Sequence, residues 1–122
     1  MLAHVDTEAP TDPRALADAI QKTGDARAHA QHTWELLEKT TKSVLSELTN
    51  NERRLDPELS RKEAEDIAQG SEEFRAHIYA TLDAKRAYNL ADVAFVAAKA
   101  RFEATRSVEA SRRAQVQAFG RH

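Results

Sequence analysis

The 122-residue chain contains no cysteine. Disulfides and thiolate metal sites are therefore excluded, and a reducing, cytoplasmic compartment is the expectation. Glycine and proline are scarce, three of each, which leaves little material for turns. Aromatic residues make up 6% of the chain, so a compact core of large side chains would be small. Long apolar runs are missing as well. The longest uncharged run within the most apolar stretch is "VAFVAA", between Asp92 and Lys99, whereas a membrane span needs roughly 20 apolar residues. No membrane partner is expected. The opening "MLAHVDTEAPTDP" has no basic region and no long apolar run, unlike a secretory signal. With Pro10 and Pro13 it reads as a flexible arm over residues 1–12. Glycine-rich phosphate loops, HExxH and GxSxG are also absent. The expectation is therefore no catalytic residue, no cofactor, no metal and no small-molecule substrate. The formal net charge of −2 gives no global argument for nucleic acid.

What the chain does contain favours helix. Alanine, glutamate, lysine, arginine and leucine dominate. Asp12-Pro13 is a helix start, with Asp as N-cap and proline at the first helical position. From Leu16, steps of four and three run through Ile20, Thr23, Arg27, Ala30, Trp34, Leu37, Thr41, Val44 and Leu48. This is a heptad seam, imperfect at Thr23, Arg27 and Thr41. It predicts one helix over about 13–49, with Gly24 as a point of bending or interruption. "TNNERRLDPELS" carries turn signals at Asn50-Asn51 and Asp56-Pro57. Ser60-Arg61-Lys62-Glu63 fits a capping box that opens a short helix over 60–69. Gly70-Ser71 supplies a stop and a new N-cap. A last helix then runs over about 72–119. The predicted fold is all-α: a long–short–long helical hairpin forming a coiled-coil-like bundle, a single helical domain over 13–122.

The last helix is apolar on several sides. Ala80, Ala84, Ala87, Ala91, Ala94 and Ala98 follow the four-three spacing, which lets two backbones approach closely. Phe74, Thr81, Tyr88, Phe95 and Phe102 form a second line at steps of seven. Leu82, Val93, Val96 and Ala100 occupy a third side. One partner helix covers one line, so the pattern predicts further neighbours and hence a homo-oligomer. The expected oligomer interface comprises Ala84, Ala87, Tyr88, Ala91, Ala94, Phe95, Ala98, Phe102 and Trp34. Asn89 and Asp92, one turn apart, are either solvent-facing or a polar pair that fixes register between chains. A buried Asp92 would require a cationic partner.

Two other clusters invite chemistry. Asp25, His29 and His32 share a helical face and have ligand-like spacing, but both histidines fall outside the heptad seam and read as solvated. The end of the chain, "RFEATRSVEASRRAQVQAFGRH", sets five arginines against two glutamates. Arg106, Arg112 and Arg113 are candidate phosphate contacts. The competing reading is that they complement the dipole of a helix C-terminus.

"SRKEAEDIAQGSEEFRAHI" and "AKARFEATRSVEASRRAQ", within Ser60–Gln115, resemble a group of short helical accessory proteins encoded in phage and prophage genomes near replication or recombination genes. That resemblance implies a phage or mobile-element accessory factor with no catalytic residues to carry over. Trp34-Glu35-Leu36 lacks the glycine of the small secreted Trp-x-Gly hairpins, and that comparison is set aside. The sequence thus favours a non-catalytic, oligomeric interaction protein with an unidentified protein partner. The alternatives are a nucleic-acid-binding accessory factor and a small inhibitor of a host defence or replication enzyme.

Overall fold

In the computed structural model the described residues are 12–120. The expected arm is outside them except for Asp12, as are Arg121 and His122. Three helices follow in order: α1 (Pro13–Leu55), α2 (Arg61–Gln69) and α3 (Glu72–Gly120). No strand occurs among the described residues. The fold is the long–short–long helical hairpin, with helices of 43, 9 and 49 residues.

Asp12 starts α1 as its spacing from Pro13 predicts. Its carboxylate accepts from the Arg14 amide at 3.2 Å, and its carbonyl accepts from the Leu16 amide at 3.0 Å. The proline costs no hydrogen bond at a position where the amide would lack a helical partner. The expected end at Thr49 is corrected: α1 continues through Asn50-Asn51 to Leu55. Asparagine has a lower helix propensity than alanine but does not forbid helix. Here Asn51 Oδ1 accepts from Arg54 Nη1 at 3.2 Å. Arg53 and Arg54 lie in the last turn, where cations complement the helix dipole. Pro57 supplies the real stop, because it disfavours helical backbone at Asp56. Asp56 Oδ1 then accepts from the Glu58 amide at 3.2 Å, shaping the turn.

Gly24 does not interrupt α1. A Cβ built there would lie 3.3 Å from Cε1 of Phe95. The glycine is the place where an aromatic ring approaches the α1 backbone, so its role is closeness rather than flexibility.

The capping box at α2 forms as expected. Ser60 Oγ accepts from the Glu63 amide at 3.1 Å, and Glu63 Oε1 accepts from the Ser60 amide at 3.2 Å. Hydrogen bonding of the Glu63 carboxylate to the Ser60 side chain, and then to the Ser60 backbone amide, favours its ionised form and holds its pKa below the ordinary value. α2 buries Ala64 and Ala68 completely. Two alanines on one edge let a short helix sit close to its neighbours, while Ile67 stays partly in water. Gly70 closes α2 in right-handed geometry, its amide reaching the carbonyls of Asp66 and Ile67. Ser71 opens α3: its Oγ accepts from the Phe74 amide at 3.2 Å and donates to the Ala68 carbonyl at 2.6 Å.

The chain divides into two compact units. One combines residues 27–55 of α1, the α2 region and α3 up to Leu90; the other combines α1 up to Ala26 with α3 from Ala91 onward. In both, α1 contributes the heptad positions that its sequence predicts. All ten, from Leu16 to Leu48, are buried or half-buried.

Candidate interaction surface

The 27–90 unit is held by an antiparallel seam. Rising positions on α1 meet falling positions on α3: Trp34 stacks on Tyr88 with ring centroids 5.5 Å apart and planes 21° apart, and Thr41 meets His77. Two of the three imperfect heptad positions, Arg27 and Thr41, are polar fasteners of this seam. Arg27 Nη2 donates to the Tyr88 hydroxyl at 3.1 Å, and its guanidinium lies 5.5 Å from the centre of the Tyr88 ring. Lys85 Nζ lies 5.4 Å from the centre of the Trp34 ring, from α3's side. Cations over aromatic faces gain from the ring quadrupole while their heads stay hydrated.

His77 is the residue that the sequence reading missed. Its Nε2 lies 2.9 Å from the Leu37 carbonyl oxygen and 3.0 Å from Thr41 Oγ1. A carbonyl only accepts, so the geometry fits a proton on Nε2 that points at Leu37. Thr41 also donates to the Leu37 carbonyl at 3.0 Å, so that oxygen anchors both helices. A signal was present: His77 is three residues after Phe74 and four before Thr81, in register with the aromatic line.

The other unit uses the same register. Leu16 is 2% exposed and Ala98 4%. Phe95 packs at Gly24. Lys99 Nζ and the Arg106 guanidinium lie 5.5 Å and 5.8 Å from the centres of the Phe95 and Phe102 rings. Thr23 donates to the Ala19 carbonyl at 2.6 Å, which hides its hydroxyl at a seam position.

These contacts redistribute the expected interface. Trp34, Ala84, Tyr88, Ala91, Phe95, Ala98 and Phe102 are buried or half-buried, in line with the α1–α3 seams. Ala87 and Ala94, with Ala80, are exposed. The six-alanine line is therefore not the seam. The seam takes alternate alanines and alternates them with the aromatic line. The reason is area: an aromatic ring buries several times what a methyl group does. The helix turns its rings inward, and the alanine between successive rings leaves room for them.

What remains outward on α3 is still apolar. Val93 is 67% exposed, Val96 57% and Leu90 62%. Ala100 is exposed on the same side. Asn89 is exposed, whereas Asp92 is half-buried and engaged in an interaction. The two residues, read from the sequence as either solvent-facing or a polar pair, therefore have different surroundings.

Arg106, Arg112 and Arg113 are all exposed, as is every residue from there to Gly120. They do not converge: Arg106 and Arg113, seven apart, share one line, and Arg112 lies on another. His29 and His32 are exposed, and no group of three or more potential ligands is placed to hold a metal ion among the described residues. An open hollow of about 450 Å³ runs along α3, lined by Ala104, Thr105, Val108, Glu109 and Arg112. No described helix is long and apolar enough to cross a membrane. No family model, curated protein or solved structure matches the chain.

Proposed function

We propose that this is a non-catalytic helical interaction protein that acts by helix-face docking and self-associates through the outward side of α3. One observation carries the reading: α3 presents exposed Val93 and Val96 after Phe95 and Phe102 of its aromatic line have turned the other way. Aliphatic side chains gathered on one outward side mark an interaction surface more often than scattered singletons do. The surface is nearly free of charge between Asn89 and Glu103 on that side, which suits burial against another helix. The open hollows along α1 and α3 are shallow surface features, and an outward apolar face suits docking to another helix.

Size-exclusion chromatography with light scattering tests the reading. Native chain is expected above its 13.6 kDa monomer mass, and Val93→Glu with Val96→Glu is expected to return it to that mass with its helicity retained. A native chain that stays monomeric overturns self-association.

The exposed Arg106, Arg112 and Arg113 favour a second reading, an accessory factor that binds nucleic acid through the end of α3. A salt-dependent mobility shift, lost in Arg112→Ala with Arg113→Ala, supports it. No binding to single- or double-stranded nucleic acid at low salt removes it.

A further inference from the structure

The line of α3 that faces α1 does not stop where α1 begins. Phe95, Ala98, Phe102 and Thr105 follow steps of three and four, and all four are buried or half-buried. The same steps continue through Glu109, Arg112, Val116 and Phe119, and these four are exposed. The change falls within the unit formed by α1 up to Ala26 and α3 from Ala91 onward. There Phe95 packs at Gly24. Burial on α3 ends one and a half heptads beyond Phe95, at Thr105, and α1 begins at a matching distance before Gly24, at Pro13. Both helices rise equally per residue, so the line loses its cover because α1 has run out. Val116 and Phe119 are left on it, 65% and 80% exposed.

We infer that the segment ahead of α1, residues 2–11, docks along residues 109–119 of its own chain and prolongs the seam that α1 begins. Those residues lie outside the described ones; their reach, charge and composition fit the exposed line. At about 2.5 Å per residue, between helix and full extension, Glu8 comes level with Arg112 and Arg113, and Val5 with Val116 and Phe119. Residues 2–11 carry Asp6 and Glu8 and no lysine or arginine, whereas α3 from Arg106 onward sets Arg106, Arg112 and Arg113 against Glu109 alone. Helical spacing puts Arg112 and Arg113 on either flank of Val116. An acidic segment lying on the line thus passes between two cations while its valine covers apolar surface.

The α3 end of a second copy is the competing occupant, and charge and space disfavour it. The antiparallel register that pairs Glu109 with Arg112 brings Phe119 of the second copy over Phe102, where α1 already lies. Moving that helix one heptad clear of α1 sets Phe119 against Glu109 and Val116 against Arg112, which places a charge on each apolar side chain. The chain's own segment meets neither obstacle, and its tether gives it an effective concentration on the order of millimolar.

The chain has no native cysteine, so disulfide trapping reads the contact directly. Val5→Cys with Val116→Cys is expected to close an intramolecular bond at micromolar protein roughly tenfold faster than Val5→Cys with Ala114→Cys, which sits at a similar height on the opposite side of α3. Ala114 and Val116 are both exposed, so neither cysteine is expected to change the circular dichroism. Asp6→Lys with Glu8→Lys should slow closure at low salt, and Arg112→Glu with Arg113→Glu added to that pair should restore it. Equal rates at positions 114 and 116, or closure indifferent to the charge changes, overturn the docking. A bond that forms between chains, faster at higher concentration, puts a second copy on the line and overturns the assignment to the chain's own segment. The outcome is independent of self-association through Val93 and Val96, which lie on another side of α3.

Discussion

Trp34 and Tyr88 show how much a single pair carries in this protein. Among the described residues no large side chain is fully buried, so each half-buried ring accounts for a large share of the apolar area removed from water. Trp34→Ala is expected to cost about 2–4 kcal/mol, toward the lower end of core truncations because the ring is partly solvated. A double-mutant cycle with Tyr88→Ala in urea denaturation should return a coupling of about 0.5–1.5 kcal/mol for the stacked rings. Gly24 makes the complementary case. A side chain there meets the Phe95 ring, with contact beginning at the Cβ. Gly24→Leu is expected to destabilise by about 1–3 kcal/mol despite its better helix propensity, read as a lowered melting temperature. At this scale the sequence was only half legible. Gly24 looked like a weakness because glycine is usually read through its backbone, and the ring that needs it comes from a residue 71 positions later in the chain. His77 was overlooked because its partners, the Leu37 carbonyl and Thr41, are also distant in sequence.

At the level of elements, the local signals proved the most readable. Asp12-Pro13, Ser60-Arg61-Lys62-Glu63 and Gly70-Ser71 each close or open a helix where their chemistry says they should, because capping uses neighbours along the chain. Ser60→Ala is expected to lower stability by about 1 kcal/mol, measured by thermal denaturation. The Glu63 half of the cap is pH-dependent. Its pKa is lowered by the Ser60 side-chain and backbone hydrogen bonds. Its contribution is therefore complete above the ordinary glutamate range and is lost as pH falls through the lowered value. Glu63→Gln should flatten that part of the acid limb of a stability–pH profile. The α1 heptad was legible in full, since its apolar members recur at one spacing with no competitor. The α3 seam was not. Six alanines at four-three spacing imitate a seam, and periodicity alone does not say that rings outrank methyl groups. The end of α1 was missed for a similar reason: Asn50-Asn51 permits a turn but does not demand one, and Pro57 does.

For the molecule as a whole, the sequence already held the long–short–long order and the excess of apolar faces on the last helix. It did not say which apolar line α1 would take, and therefore which was left over. With the aromatic line engaged, the outward valines become the ones to mutate. Under the proposed self-association, Val93→Glu should abolish assembly with little loss of helicity, since the Val93 side chain is 67% exposed. Circular dichroism and light scattering together check both halves of that expectation.

The scarcity of deep burial has a kinetic consequence. Among the described residues the fully or nearly buried hydrophobic ones are Leu16, Ala64, Ala68 and Ala98, three of them alanines. Local openings of a seam whose larger members keep one side in water expose little new apolar surface, so they cost less than openings of a deep core. Amide exchange should therefore be graded rather than all-or-none, slowest beside Leu16, Ala98 and the Trp34–Tyr88 stack and fastest from Arg106 to Gly120, where every side chain is exposed. Occupation of the outward valines by another helix would then slow exchange in α3 around Val93 and Val96 first, making protection at those amides a residue-resolved gauge of assembly.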